Sequence, residues 1–416
     1  MGSESEVEQI FNHATWLFFF GAGLWMVFAR RGAGLRVLRH TNAGFLLLLL
    51  LAAGSVVWSI DPAATLARLF HLVTILLACL GVTIHGWKEG RYQEVVRPVI
   101  TAFLLGSLIF GLVAPDLAIL VPTYPDTGIA YWGGLTIGKN ALGSIASAGI
   151  ILWVHGWASR QVRPLTAVFG VALAVLLLAL SRAATHMVST AVVCGLMLVM
   201  LRSPPNLRRY APYLIGLLTV MIILYGLVIL DVVPGLDILL EPITALTGKD
   251  RTFTNRALIW QITREHVSLS PVLGSGYGAF WAHVGPGTPA NAFVVRMFFN
   301  PGECHDGYLE IINDLGFLGL LVLLAYLFTY LMTALKLLKP MHAQATLYLG
   351  LLFQQLISGL TESNWLWICP DFMMFTLAAL CMAQNMRDLE LRRASNAVVP
   401  AAVPRGVRLR TRFSGP

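Results

Sequence analysis

Eleven apolar runs, each near the length needed to cross a bilayer, dominate this chain. An α-helix rises about 1.5 Å per residue, so a hydrocarbon core of ~30 Å takes about 20 apolar residues. The runs cover residues 12–29, 43–60, 65–86, 96–115, 140–158, 164–181, 184–201, 211–231, 316–336, 344–361 and 369–385. In lipid every backbone N–H and C=O must find its partner inside the segment, which commits such runs to helices. Composition agrees: 57% of the 416 residues are hydrophobic and 12% charged, about half the ~25% charged share of soluble domains. The sequence therefore predicts an all-α, polytopic integral membrane protein with about 11 transmembrane helices.

The basic residues orient it. Of the 29 Lys and Arg, 21 fall after the first span and in every second connection from there, ending in the C-terminal tail. Cytoplasmic loops carry this excess, so the N-terminus is expected outside and the C-terminus inside, as an odd number of spans requires. The net charge of +8 then belongs to an inner face that attracts anionic lipid headgroups, and no nucleic-acid partner is expected. The acidic start, with Glu4, Glu6 and Glu8, does not read as a cleavable leader. One domain is predicted over residues 1–393, with one large outer loop at 232–305 and a basic, disordered cytoplasmic tail at 394–416. The five cysteines show no metal spacing. Cys304 and Cys369 both fall outside and either pair or remain small buried thiols.

Eight basic residues stay on the outer side against the charge bias: Arg68, Lys139, Arg182, Lys249, Arg251, Arg256, Arg264 and Arg296. Arg182 sits in the tight turn Ser181-Arg182-Ala183, either snorkelling at a helix end or fixing an anion at the membrane interface. Arg256 and Trp260 share a helical face, flanked by Arg251 and Arg264. That face is either merely solvated or a phosphate grip, since a guanidinium matches phosphate oxygens with a planar fork. Lys139, between Gly138 and Gly143, is an interfacial anchor or a further anion contact. The run Gly274-Ser275-Gly276-Tyr277-Gly278 is a plain turn or a ring of N–H groups open to an anion. Tyr277, Trp281 and Tyr308 could stack on sugar rings. His305 is either a structural histidine bonding a loop carbonyl or the general base. Asp306 can cap a helix from Gly307, and the positive end of that helix would keep the imidazole neutral near pH 7. With no Asp-x-Asp motif and no clear His/Glu ligand set outside, neither a catalytic metal nor another cofactor is expected.

Several of these stretches occur together in one known family. Gly138-Lys139-Asn140-Ala141-Leu142-Gly143, Ser181-Arg182, Asn255-Arg256 to Trp260, Pro271 to Gly276 and His305-Asp306-Gly307-Tyr308-Leu309, with Trp58-Ser59-Ile60-Asp61-Pro62 upstream, resemble the O-antigen ligase/O-antigen polymerase (Wzy-type) superfamily. The exopolysaccharide repeat-unit polymerases look most similar. The resemblance implies a metal-independent glycosyltransferase of the bacterial inner membrane, acting on its periplasmic side. The donor would be a glycan on undecaprenyl diphosphate and the acceptor a glycan hydroxyl, with a flippase and a chain-length regulator of the same pathway as further partners. It implies Arg182 and Arg256 as diphosphate-binding catalytic residues and His305 as the catalytic base. Relatives commonly carry Ser or Asn after this histidine, where this chain has Asp306. A ligase that passes glycan to lipid A-core is the alternative within the family. A lipid-linked glycan transporter is the alternative of another class, with Gln354 and Gln355 as its polar intramembrane groups.

Overall fold

A computed structural model describes residues 6–85, 91–121, 129–136, 138–229 and 256–398. Its helices are α1 (Glu6–Ala29), α2 (Arg31–His40), α3 (Ala43–Gly54), α4 (Pro62–His85), α5 (Gln93–Val113), α6 (Pro115–Ala118), α7 (Lys139–Ala158), α8 (Pro164–Ser181), α9 (Ala184–Arg202), α10 (Pro205–Arg208) and α11 (Ala211–Ile229). They continue with α12 (Arg256–Val267), α13 (Asn291–Met297), α14 (Gly307–Leu337), α15 (His342–Ser358) and α16 (Pro370–Val398). The single sheet among the described residues pairs β1 (Ile119–Leu120) antiparallel with β2 (Tyr131–Trp132). Six of the helices are long and apolar enough to cross a membrane, namely α4, α5, α7, α8, α9 and α14, and α2 with the chain through Val57 forms a seventh if that pair, bent by 102°, is one span. The chain is a multi-pass membrane protein. The expected large loop is not featureless where described, since α12 and α13 lie within it, and α16 runs on to Val398, past the expected start of the tail.

The helix at the centre is α7, with 72% of its apolar window buried against 39% for α8 and α9. Lipid tails are as apolar as any side chain, so close packing rather than hydrophobicity selects the neighbours of a membrane helix. The Gly, Ala and Ser residues of α7 allow that approach. A Cβ added at Gly149 would sit 3.2 Å from Ile100 of α5 and 3.4 Å from Ala174 of α8, and one at Gly143 would come 2.4 Å from the Ala183 Cβ. Gly143 therefore sets how near the Ser181–Ala183 turn lies to the start of α7.

The ninth predicted span proves to be the second half of a longer, broken helix. Asp306 caps α14, its Oδ1 accepting from the N–H groups of Tyr308 at 2.9 Å and Leu309 at 2.8 Å. At Gly316 the backbone leaves the helix (φ 68°, ψ −172°), a conformation closed to side chains. The break exposes backbone groups that cannot stay unpaired in a membrane protein. The glycine run supplies their partners. Ser275 and Gly276 N–H donate to the carbonyls of Asn313 and Asp314 at 2.9 Å each, while Phe317 and Leu318 N–H donate to Pro271 and Val272. On its other edge the run is held by Ile60 N–H to Ser275 and by the Trp58 indole to Leu273, both at 2.9 Å. Two stretches of the family resemblance thus bond to each other. The N–H groups of Ser275 and Gly276 and the carbonyls of Pro271 and Val272 fill the break in α14, so the run is a plug and not an open anion ring.

Candidate functional site

The site is built at one end of the bundle, where α7, α9, α12, α14 and α16 begin and α8 and α15 end. At its centre is Glu362, in the α15–α16 connection. One carboxylate oxygen accepts from Arg256 Nη2 at 3.2 Å. The other accepts from Asn140 Nδ2 at 2.8 Å and lies 3.7 Å from His305 Nδ1. Arg256 is pinned a second time by Nη1 donating to the Thr361 carbonyl at 2.6 Å, and the Thr361 hydroxyl meets that of Thr185 at 3.0 Å, three residues beyond Arg182. A single short connection thus gathers the start of α7, the Arg182 turn, the first residue of α12 and the histidine loop.

The loop of His305 is held just as tightly. The Cys304 carbonyl accepts from the Trp260 indole at 3.1 Å, and its N–H donates to Glu310 Oε2 at 2.8 Å. Glu310 is buried in the first turn of α14 and also accepts from Trp281 Nε1 at 2.7 Å and Ser363 Oγ at 2.9 Å. That one carboxylate fixes both the residue before His305 and the residue after Glu362. The clamp leaves His305 at φ 51° and, across the site, Arg182 at φ 57°. A left-handed backbone costs a residue with a side chain roughly 1–2 kcal/mol where glycine would cost little. Arg160, Phe298 and Leu366 share that conformation, but only Arg182 and His305 carry it at this site, where such strain points to function.

The electrostatics correct the expectation of a neutral imidazole. His305 Nδ1 is 3.0 Å from Glu303 Oε1 as well as near Glu362. Burial works to lower its pKa, but the hydrogen bonds and charge of Glu303 and Glu362 outweigh this and raise it to about 9. Two carboxylates beat one helix end, whose dipole carries only about half a charge. For Glu362 burial works the other way, and His305 and Arg256 hold its pKa below the ordinary carboxylate value. The expectation that no His/Glu ligand set forms outside also fails in space. His305 Nδ1 and one oxygen each of Glu303 and Glu362 lie within 4.8 Å of one another, close enough for a divalent cation to bridge them. Arg256 and Asn140 each donate to one of the Glu362 oxygens as well.

The remaining expected residues divide. Arg182 is exposed, and Lys139 is half-buried with its ammonium 5.8 Å from the centre of the Tyr131 ring. Arg264 is half-buried at the far end of α12, about 12 Å along the axis from Arg256, so it does not join the cluster. Arg251 lies outside the described residues. Tyr277 is 1% exposed and its hydroxyl donates to the Leu366 carbonyl. Tyr308 is 8% exposed and its hydroxyl donates to Leu356. Both brace the loops and offer no ring face to a sugar. Trp281 is half-buried with its indole committed to Glu310. All five cysteines are free, and Cys304 is fully buried beside Thr263. Gln355 donates to the Asn364 carbonyl at 2.9 Å, supporting the Glu362 connection. Sequence reasoning missed Glu303 and Glu362. The one available signal was an acidic residue in the short connection Thr361-Glu362-Ser363-Asn364 on the face already chosen.

Asp306 carries a testable cost. Its Oδ2 is buried without a hydrogen-bond partner, and burial, only partly offset by the Leu309 and Tyr308 N–H groups, raises its pKa to about 7. A raised carboxylate pKa favours the folded state less and less as pH climbs from the unfolded value near 3.8 to the folded one. Asp306→Asn keeps the capping oxygen and removes the charge. Its melting temperature should exceed that of the wild type by a margin that widens from about pH 4 to about pH 7 and is constant above. Scanning both proteins in detergent across that range checks this, and a margin independent of pH would refute it.

Residues 167–324 match the O-antigen ligase family, a stretch that takes in Arg182, Arg256 and His305 but not Lys139 or Glu362. The similarity to that family covers a little over a third of the chain. It is also 27% identical over 303 residues to the exopolysaccharide production protein ExoQ of Rhizobium meliloti, an alignment spanning 68% of this chain and 62% of that relative.

Proposed function

We propose that this protein is an inverting membrane glycosyltransferase of polysaccharide assembly, acting on a glycan carried by undecaprenyl diphosphate in the outer leaflet. The observation that carries the reading is the joining of Arg256 and His305 through Glu362, beside the Arg182 turn, at one end of a membrane-spanning bundle. Arg182 and Arg256 bind the donor diphosphate, and Lys139 adds charge from the start of α7. In its neutral form, which gains as pH rises toward about 9, His305 has its Nδ1 facing the carboxylates and takes the acceptor hydroxyl proton at Nε2. The hydroxyl oxygen then attacks the anomeric carbon as the bond from that carbon to the diphosphate oxygen breaks. The lipid diphosphate leaves with the electron pair, its charge held by the guanidinium groups.

Repeat-unit polymerase is the preferred activity, supported by the similarity to the exopolysaccharide production protein ExoQ; transfer to lipid A-core is the second reading, supported by the similarity to the O-antigen ligase family. The transporter reading is disfavoured because the charged groups gather at one end of the bundle and Gln355 serves a loop. Purified protein incubated with lipid-diphosphate repeat units should yield a ladder of longer lipid-linked glycans, in the presence of chelator. Product formed only when lipid A-core is added would establish the ligase. No product with either acceptor would overturn the proposal, as would a reporter fusion at Gly287 that proves cytoplasmic.

A further inference from the structure

We propose that Glu362 and Glu303 are positioning residues that hold His305 by Nδ1 and direct Nε2 to the acceptor, with Glu362 also anchoring the arginine that receives the donor. The anchoring part rests on the glycosyltransferase reading above; the part concerning His305 does not. Geometry carries it. Glu303 Oε1 is 3.0 Å and Glu362 Oε2 3.7 Å from the same ring nitrogen, ion-pair distances without an aligned hydrogen bond, so both carboxylates face Nδ1 and Nε2 is left for the acceptor. A carboxylate so placed fixes the tautomer and stabilises the imidazolium as it forms, the logic of a catalytic triad. The pairs are partly shielded from water, at 26% exposure for His305, 24% for Glu303 and 13% for Glu362.

Glu362 has a second task that Glu303 lacks. Its other oxygen holds Arg256, and Asn140 locks its orientation. Arg256 therefore stays fixed with no donor present, and the diphosphate meets an ordered guanidinium, which spares the ordering cost of binding. Among the described residues, the charged groups around His305 come from several elements. They are Glu303 on its own loop, Asp306 and Glu310 at the head of α14, Arg256 of α12 and Glu362 of the α15–α16 connection. Behind Glu362, His186 of α9 is paired with Asp371 of α16 at 3.0 Å.

The test reads His305 without turnover. Diethyl pyrocarbonate acylates only the neutral imidazole, so the pH dependence of labelling at the His305 peptide, followed by mass spectrometry on the full-length protein in detergent, reports its titration. The wild-type midpoint should fall near 9. Glu303→Gln and Glu362→Gln should each lower it by about one unit or more, and Glu362→Asp, which keeps the charge, should give a smaller shift. In the lipid-diphosphate assay Glu362→Gln should raise donor KM roughly tenfold, whereas Glu303→Gln should leave KM near normal and lower the kcat reached on the alkaline plateau. An unshifted midpoint in both Gln variants would overturn the proposal for His305. A shifted midpoint with donor KM unchanged in Glu362→Gln would overturn the anchoring of Arg256. If the protein turns over no lipid-diphosphate glycan at all, the labelling result still decides the first part, and the failure lies in the glycosyltransferase reading.

Discussion

Replacing His305 by Ala or Asn is expected to lower turnover by roughly 10²–10⁴-fold, the usual worth of a general base, with donor KM close to normal. Asn is the sharper variant because it tolerates the φ of 51° seen here, so loss of activity in Asn as well as Ala is not a backbone effect. The same residue sets the pH response. Only the neutral imidazole accepts a proton, and the pair of carboxylates raises its pKa to about 9. The value of kcat/KM should therefore climb with pH up to about 9, where an unperturbed histidine would level off near 6.5. Stability runs the opposite way. The raised pKa means that the His305–carboxylate contacts contribute fully below the unfolded value near 6.5 and fade as pH rises through about 9. Near-normal turnover in the Asn variant would reduce His305 to a structural role, and a limb that levels off near 6.5 would show that the carboxylates do not act on it.

Arg256→Ala is expected to cost about 10²–10³-fold in kcat/KM, the range for removing one preorganised donor to developing charge. Arg256→Lys should recover only part of it. An ammonium keeps the charge but cannot hold Thr361, Glu362 and a phosphate oxygen in one plane as the guanidinium does. Removing the guanidinium also leaves Glu362, 13% exposed, with fewer partners, so protein level and melting temperature must be measured beside activity. Full activity in the Lys variant at normal protein level would refute the planar clamp.

The contrast between Asp306 and Glu362 shows how far the sequence can be read. Asp306 acts on the two peptide groups next to it, and a helix cap is a local event. Its role and the start of α14 were legible because each depends on neighbours within a few residues. The glycine run was legible as a turn but not as a plug, since its partners are some 40 residues on in α14 and more than 200 residues back at Trp58. Tyr277 and Tyr308 misled for the same reason. Aromatic residues beside a polar loop look the same in sequence whether they face a ligand or the core, and only packing separates the two.

What the sequence by itself determined was the helical membrane class and most of the helix positions, and it singled out Arg182, Arg256 and His305 as candidates. Apolar length and charge asymmetry are properties of segments, and a cationic residue left on the disfavoured side stands out without any knowledge of its neighbours. What only the tertiary structure decided was the electrostatic state of the site. Glu362 lies 57 residues beyond His305, 106 beyond Arg256 and 222 beyond Asn140, yet its two oxygens meet all three. Charge interactions depend on distances of a few ångströms that no local pattern encodes, so the protonation of His305 became readable only once the chain was folded.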